Sequence, residues 1–442
     1  MAKMFGLALD RNFRYHNHSS FVENEFSRYR VTVVVLGDLG RSPRMLNHAV
    51  ALAADGAHVS LVGYLESPLP DAVSADSRIC LYGIHNLRRA PEHSARLRFY
   101  AVTALRVAWL AVQAIWLLLV RTPRPDAILV QNPPCLPTLP VAWLAARLRG
   151  SRFVVDWHNF GYSLLAARLG SSHRIVRLSR FSERLWGRLA DANFCVSRAM
   201  RGTLVDQFLL SSSAIVRDRP TQLLPLLPAT SRAAVARNLL ATAGIPLPEN
   251  AALAICPTSW TADEDIDLLL AGLLEWDQHT LLSPSIRLFV LITGCGPLRD
   301  AFEARLSTIS WCRVVVRTAF LDPSTYRELL VAAHLGFCLH RSASGVDLPM
   351  KLVDLFGART PACVLDYGDC LAEQIQPGRT ALTFRNSHEL AHRIDEALEG
   401  FPHTPLRLEQ MQRDIEISYA ETWLQSWARE AAPTFRRLLN SN

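Results

Sequence analysis

Lysine is almost missing from this chain. Of its 47 basic residues only Lys3 and Lys351 are lysine, and the other 45 are arginine. The two are not interchangeable where a compact ammonium must fit, so Lys351, retained inside a serine- and glycine-rich motif, is marked as a functional candidate. Cysteine pairs are missing too. The nine cysteines (Cys80, Cys135, Cys195, Cys256, Cys295, Cys312, Cys338, Cys363 and Cys370) are odd in number, far apart and never in a CxxC pair. That excludes a disulfide framework or zinc ribbon and suits a reducing, cytosol-facing environment. The first 30 residues, with Phe5, Tyr15, His16 and His18, hold no apolar core of signal-peptide or membrane-anchor length. What is present is globular: 442 residues, 50% hydrophobic and 20% charged, with 21 Gly and 25 Pro, exclude disorder and collagen and suggest about two to three domains.

Charge is unevenly placed. Residues 1–225 hold 28 basic against 15 acidic side chains, a balance of +13, whereas residues 226–442 stand at −6. The basic half is the one to meet anionic matter. Its arginines are scattered singly along apolar segments, without a basic helix or an aromatic RNA-binding signature, so nucleic acid is not the expected partner. A phosphorylated substrate or an acidic membrane surface fits better.

Strands alternate with helices. The run Val31–Leu36 reads as a buried parallel strand, then a loop Gly37-Asp38-Leu39-Gly40-Arg41-Ser42, then Pro43 at the first position of a helix reaching about Ala54. Further strands are expected at 58–64, 127–130, 153–156 and 192–196, which predicts a doubly wound parallel sheet. Prolines 220, 225, 228, 246 and 248 mark a linker. The pattern restarts at 252–256, 287–293, 313–316, 335–339 and 361–365. The organisation is therefore an extension at 1–30, a Rossmann-like domain at 31–220, a linker at 221–250, and a second Rossmann-like domain with C-terminal helices at 251–442. Ligands belong outside the carboxyl ends of the strands and in the cleft between the domains.

Phe99–Val120 is 22 residues long and interrupted mainly by Thr103, Arg106 and Gln113. Arg106 and Gln113 share one helical face, and Trp109, Leu110, Ile115, Trp116 and Leu117 cover much of the rest. A helix lying in the membrane interface, a buried core helix and a true span all remain open. A second apolar stretch, Leu139–Leu148, is placed to join it.

Five segments carry chemistry. In the first loop, Gly37 and Gly40 clear the backbone for a ligand and the helix start favours an anion; this loop is not GxGxxG and lacks the Walker lysine. In Phe153–Tyr162, Asp156 and His158 leave one strand end on the same side, a potential base and its neighbour. In Pro257–Asp265, Thr261 reads as a helix cap with three acids in the first turn, and Thr258 and Ser259 are positioned to donate to a phosphate. Gly294-Cys295-Gly296 is a glycine turn after a strand. The most specific segment is His340–Gly357, where Ser344 and Gly345 precede Pro349, and Lys351 and Asp354 share one face of the helix it opens. A lysine there can neutralise a diphosphate, and a carboxylate one turn on can accept both ribose hydroxyls. His388-Glu389-Leu390-Ala391-His392 satisfies HExxH, but Ser387 reads as the cap of an amphipathic helix whose apolar face is Leu390, Ile394 and Leu398, so no metal site is assigned.

The segments VVVLGDLGRSPRM, LVQNPPCLPTLP, FVVDWHNFGYSLL, TSWTADEDIDLLL, ITGCGPLRD and SASGVDLPMKLVDLFG, in this order, resemble the chitobiosyldiphosphodolichol beta-mannosyltransferase family. The resemblance implies an α/β fold of GT-B type, two Rossmann-like domains facing across a cleft. It implies inverting transfer of mannose from GDP-mannose to diphosphate-linked chitobiose on dolichol, in β1,4 linkage, with no cofactor required, divalent-metal dependence left open, and no metal ligands assigned. The place would be the endoplasmic reticulum membrane, with the catalytic domains on its cytosolic face and other mannosyltransferases of the pathway as potential partners. Asp38 is favoured as base, with Asp156 and His158 close behind. Ser259, Gly294, Gly296, Ser344, Gly345, Lys351 and Asp354 would bind the donor, with Arg299 or Arg341 as helpers. Gly37, Gly40, Arg41, Ser42 and Arg44 would meet the acceptor diphosphate. Two departures stand out: residues 1–30 do not read as the hydrophobic N-terminal anchor usual in the family, and Cys295 stands where the glycine turn usually carries a basic residue. Two alternatives are a transferase using another sugar nucleotide or lipid acceptor, and a silent scaffold of the same fold.

Overall fold

The computed structural model describes residues 29–440 except 86–95, 211–212, 228, 243, 249, 281 and 284. All but the last two residues of the expected N-terminal extension lie outside the described residues. The first sheet holds β1 (Tyr29–Asp38), β2 (Ala57–Tyr64), β3 (Ile79–Gly83), β4 (Ala127–Asn132), β5 (Arg152–Trp157), β6 (Ala192–Cys195) and β7 (Ala214–Ile215), in the order β3-β2-β1-β4-β5-β6-β7. The second holds β8 (Ala251–Pro257), β9 (Arg287–Thr293), β10 (Val314–Ala319), β11 (Leu335–Cys338), β12 (Ala362–Leu365) and β13 (Ala381–Phe384), in the order β10-β9-β8-β11-β12-β13. Pairing within both sheets is parallel. Strands such as Val31–Val35 and Phe153–Val155 are buried on both faces, as parallel strands covered by helices on both sides must be. Each sheet reverses its winding once, between β1 and β4 and between β8 and β11. Crevices at those switch points are where such sheets bind ligands.

Three strands were not anticipated: β3, β7 and β13. All are outermost strands of five residues or fewer, too short to carry a periodic apolar signal.

The first domain's helices are α1 (Pro43–Ala54), α2 (Asp71–Ser74), α3 (Arg96–Trp116), α4 (Thr138–Arg149), α5 (Gly161–Leu169), α6 (Arg174–Leu189) and α7 (Arg198–Asp206). Beyond them come α8 (Ala229–Thr242), α9 (Ile266–His279), α10 (Arg299–Leu306), α11 (Pro323–Ala332), α12 (Met350–Gly357), α13 (Ser387–Ala397), α14 (Leu406–Ser418), α15 (Trp423–Glu430) and α16 (Ala432–Leu439). The domain limits need two corrections. In the segment expected to be a linker, α8 buries Ala236 and Leu240 in the second core beside Leu253 and Phe289. The last helices do not stay with the second domain: Trp423, Trp427, Ala432 and Phe435 pack into the first core with Val31, Met45 and Phe194. Their apolar side chains find the uncovered face of the first sheet, a tertiary choice that sequence order does not reveal.

The carboxyl edges of the two sheets face each other. The hydroxyl of Ser197, just after β6, donates to the carbonyl of Val346 at 2.6 Å. Glu373, after β12, accepts from the amides of Arg198 and Ala199 at 2.7 and 2.9 Å, so a second-domain carboxylate satisfies open donors at the start of α7.

The stretch Val102–Arg121, α3 plus a π-helical turn at Leu117–Arg121, is long and apolar enough to cross a membrane by length and composition, and 22% of it is buried. One stripe, Leu110, Ala114, Leu117 and Leu118, joins the domain core. Gln113 exchanges bonds with the backbone of His85 at 3.0 and 2.8 Å, and the Arg106 charge is felt by the Tyr64 phenol. Arg106 and Gln113 therefore turn towards the domain, and Leu105, Trp109, Val112, Trp116 and Val120 turn outward with Thr103. The buried-core reading is incompatible with that arrangement.

Candidate active site

Asp38 ends β1 at the first switch point. It accepts from the amides of Glu66 and Ser67 at 3.2 and 3.1 Å and from the Ser67 hydroxyl, and Arg41 Nε lies 3.6 Å away. Burial pushes its carboxyl upward, but these hydrogen bonds outweigh it and hold it below the usual range. A carboxylate so well solvated by its own protein is a weak proton acceptor. Gly40 has no room for a side chain, because a Cβ would stand 2.7 Å from the Pro68 carbonyl oxygen; the constraint comes from the chain itself. Gly37 is under no such pressure, its nearest neighbour lying at 3.6 Å. The Ser42 hydroxyl donates to the Asp38 carbonyl at 3.0 Å. Arg41 alone of this group reaches into solvent, 73% exposed.

Arg44 is not on that surface. It is buried, and its guanidinium grips Asp156 bidentately at 2.8 Å through Nε and a terminal nitrogen. Its other terminal nitrogen donates to the Val216 carbonyl at 2.8 Å and Asp218 at 2.9 Å, and its charge lies 5.4 Å from the Trp423 ring. Arg44 therefore cannot meet an acceptor diphosphate, which corrects that expectation. Asp156 is likewise sealed, with 0% exposure. Burial alone would raise its carboxyl, but Arg44, then His158 and His48, hold it well below the carboxylate range. It stays charged and saturated, so it cannot be the base itself.

What Asp156 does is hold His158, whose Nε2 lies 2.7 Å from Oδ2. The proton this requires on Nε2 leaves Nδ1 as the lone pair. His158 is the partly open member of the cluster, 22% exposed against 0–3% for Asp156, His48 and Arg44. Behind it, His48 accepts from Trp427 Nε1 at 3.0 Å, and burial, only partly countered by Asp156, keeps it neutral. The segment 159–162 is pinned by Glu183 of α6, which accepts from the Gly161 and Tyr162 amides at 2.7 and 3.2 Å and from Asn132 at 2.8 Å. Burial pushes the Glu183 carboxyl up to about 7.

At the second switch point Lys351, Ser259 and the turn at Gly294 and Gly296 come together. Lys351 at the start of α12 pairs with Glu264 and lies 3.4 Å from the Ser259 hydroxyl. Burial works against its charge, but Glu264 keeps it protonated. Glu264 also takes the Thr258 hydroxyl and, at 2.6 Å, the Ser259 amide, so Thr258 is committed to the protein and not to a phosphate. Thr261 is not a cap: α9 begins five residues later, capped by Asp265, which accepts from Leu268 at 3.1 Å. Gly294 and Gly296 are glycine because a Cβ at either would strike the backbone of Thr258 or Ser259, at 1.8 and 2.0 Å. Close packing of two loops, whatever the ligand, explains the turn. Ser344 is tied to Asp347 at 2.9 Å, and Gly345 adopts φ +74, backbone that glycine tolerates. Asp354 is exposed and accepts from Tyr326 at 3.2 Å, and desolvation pushes its carboxyl up to about 6. Arg299 and Arg341 are engaged with Glu303 and Asp265, each at 2.7 Å, and Cys295 is exposed.

Sequence reasoning missed Glu264 and Glu183. Glu264 looked like one of three acids in a helical turn. Glu183 had a signal: it is the one acid in the arginine-rich α6. The HExxH histidines sit on α13 with Leu390 and Ile394 buried and His388 exposed, 2.6 Å from Glu275; its cap is Asn386, one residue before the expected Ser387.

A family model described as glycosyl transferase 4-like domain matches residues 40–216. A chitobiosyldiphosphodolichol beta-mannosyltransferase of Pongo abelii is 35% identical, covering 91% of this chain and 92% of the relative. A protein of Arabidopsis thaliana named UDP-glycosyltransferase TURAN is 33% identical over 93% of this chain and 98% of its own. Among solved structures, a sucrose-phosphate synthase from Thermosynechococcus elongatus superposes with a TM-score of 0.66 at 14% identity, covering 94% of this chain and 100% of the other. The chain is thus a glycosyltransferase with two facing Rossmann-like domains, the GT-B arrangement.

Proposed function

The chain belongs to the chitobiosyldiphosphodolichol beta-mannosyltransferase family, and from that premise we infer that it transfers one mannose from GDP-mannose to the terminal GlcNAc of diphosphate-linked chitobiose on dolichol. Forming a β-mannoside from an α-linked donor inverts C1 in one displacement. The acceptor 4-oxygen bonds to C1, the bond from C1 to the diphosphate oxygen breaks, and the hydroxyl proton moves to a base. That base is His158, through Nδ1, with Asp156 fixing the ring and stabilising the imidazolium. The observation that carries this role is the partly exposed imidazole backed by a sealed, ionised carboxylate.

Charge on the departing GDP falls to Lys351 and the Ser259 hydroxyl. Because Glu264 neutralises Lys351 before substrate arrives, donor binding requires the ammonium to turn from Glu264 towards the diphosphate. Asp354 is suited to the ribose hydroxyls, and Arg41 to the acceptor diphosphate. This division of labour assigns no role to a metal. The enzyme would work at the endoplasmic reticulum membrane, with both domains on the cytosolic side.

The test is to incubate purified full-length protein with GDP-mannose, or UDP-sugars in parallel, and a synthetic diphosphate-linked chitobiose lipid, with and without EDTA. A β1,4-mannosylated product from GDP-mannose alone is expected. Product only from a UDP-sugar would move the donor towards that named for the Arabidopsis relative, loss with EDTA would require a metal, and no product from any donor would favour a silent scaffold.

A further inference from the structure

Helix α6 is built inside out. Its buried face is made of Val176, Ser179, Ser182, Glu183 and Gly187, whereas Ile175, Leu178, Phe181, Leu185 and Leu189 form one outward stripe, 36–64% exposed. Spacings of three and four residues place these five on one side of the helix. An amphipathic helix in a globular protein normally turns that stripe into the core. Beside the stripe runs a row of arginines: Arg174, Arg177, Arg184 and Arg188 are exposed and have no acidic partner among the described residues. The only acid of the helix, Glu183, is buried beneath it.

The stripe is not isolated. Trp186 of α6 packs on Trp143 of α4, ring centroids 5.3 Å apart, and α4 lies between α6 and α3. Outward on α4 are Leu144 and Leu148, and on α5, which packs on α6, Leu164 and Leu169. With the outward side of α3 these make one apolar side of the first domain.

We propose that this side, with α6 as its centre, docks on the surface of an anionic lipid bilayer. The pattern of an apolar stripe flanked by unpaired arginines, without exposed acid on the helix, complements a headgroup layer that carries phosphates above hydrocarbon. The basic balance of the first half of the chain acts in the same direction. Geometry links docking to the reaction: α5 begins three residues after His158, and Glu183 on the underside of α6 holds that start. The docked helix pair thus hangs the base next to the bilayer from which a lipid-linked acceptor emerges. This last link rests on the proposed reaction; the docking itself does not.

The experiment is vesicle flotation of the full-length protein, without substrates, on phosphatidylcholine and on phosphatidylcholine mixed with phosphatidylinositol. Leu178→Glu with Phe181→Glu should lower binding to both by at least about tenfold, since two apolar side chains are replaced by charge in the interface. Arg177→Glu with Arg184→Glu and Arg188→Glu should instead abolish the preference for the anionic vesicles, on the order of fivefold per arginine. Both are made also in a Trp109→Glu, Trp116→Glu background, so that α3 cannot mask the loss. All touch only exposed side chains, so circular dichroism should be unchanged. Unaltered flotation in both backgrounds overturns the proposal. So does a wild-type dimer in lipid-free solution that the Leu178, Phe181 variant makes monomeric, which would assign the face to a second copy. Because no substrate is present, a failure to transfer mannose leaves the docking result standing, and the reverse also holds.

Discussion

The two domains wind their sheets alike and dress them differently. In the second, α9 and α13 turn Leu269, Leu273, Leu390 and Ile394 into the core; in the first, α6 turns its apolar stripe out, and α3 presents a second stripe outward beside the one it buries. Of the large hydrophobic side chains exposed among the described residues, 20 lie before residue 210 and six after it. Their charged centres differ as well. The Arg44–Asp156 pair of the first domain is sealed and offers only His158 to the cleft, whereas in the second the cation itself is partly open, Lys351 being 20% exposed beside a buried Glu264. A shared winding therefore carries a partly open imidazole backed by a sealed carboxylate on one side and a partly open cation on the other, and the proposed roles of base and diphosphate ligand follow that difference.

The sharpest break of that contrast would come at His158. His158→Ala should lower kcat by roughly 10²–10⁴, the usual worth of a general base, with thermal stability unchanged because the ring is at the surface of its cluster. Asp38→Asn should cost less than about tenfold on the same scale. A steady-state assay giving the reverse order would return the base to Asp38. Asp156→Asn should differ from both. It leaves the buried Arg44 guanidinium with Asp218 as its one carboxylate partner, so up to about 3–5 kcal/mol of stability should go with the activity, read as a lower melting temperature. Loss of activity without loss of stability would mean that the cluster is less sealed than its exposure indicates.

At the second centre, Lys351→Ala should reduce kcat/KM by about 10²–10³, comparable to removing one electrostatic donor from a leaving group. Lys351→Arg should also be impaired, since the planar fork does not fit where an ammonium meets Glu264 and Ser259. Wild-type turnover in that variant would reduce the scarcity of lysine to coincidence.

Much of this was legible in the sequence. Apolar runs gave every central strand to within three residues, lysine scarcity marked Lys351, and the loop reading of Pro257–Asp265 marked Ser259, which lies beside it. Illegible was which partner a polar side chain chooses. Arg44 reads as a helix-start arginine facing the ligand beside Arg41, yet the turn of α1 buries it against Asp156, 112 positions away. The glycines of the 294–296 turn read as ligand contacts and serve loop packing. Trp423 and Trp427 crossing to the first domain follow from a long-range contact that no local period encodes.

A smaller effect is expected from pH. Desolvation raises the Asp354 carboxyl to about 6, so it protonates as pH falls through that value and can no longer accept two hydroxyls. Donor KM should therefore rise as pH falls below about 6, with kcat less affected, whereas an ordinary carboxylate would hold out to about pH 4. Asp354→Asn should show a raised KM without this pH step. A step that survives in the variant would belong to another group.

The smallest effect should be at the HExxH sequence, and it tests whether the second domain's surface is as inert as its inward-facing helices indicate. His388 is 80% exposed and its partner Glu275 lies 2.6 Å away; such a surface pair contributes at most about 1 kcal/mol. The apolar side of α13 stays in the core whether or not the histidines are present, because Leu390, Ala391 and Ile394 point away from them. His388→Ala with His392→Ala should therefore leave kcat, donor KM and vesicle flotation at wild-type values, and metal analysis of the purified protein should give the same result for variant and parent. One zinc per chain lost in the double variant would make α13 a metal site. The contrast between a working face on the first domain and a passive one on the second would then fail.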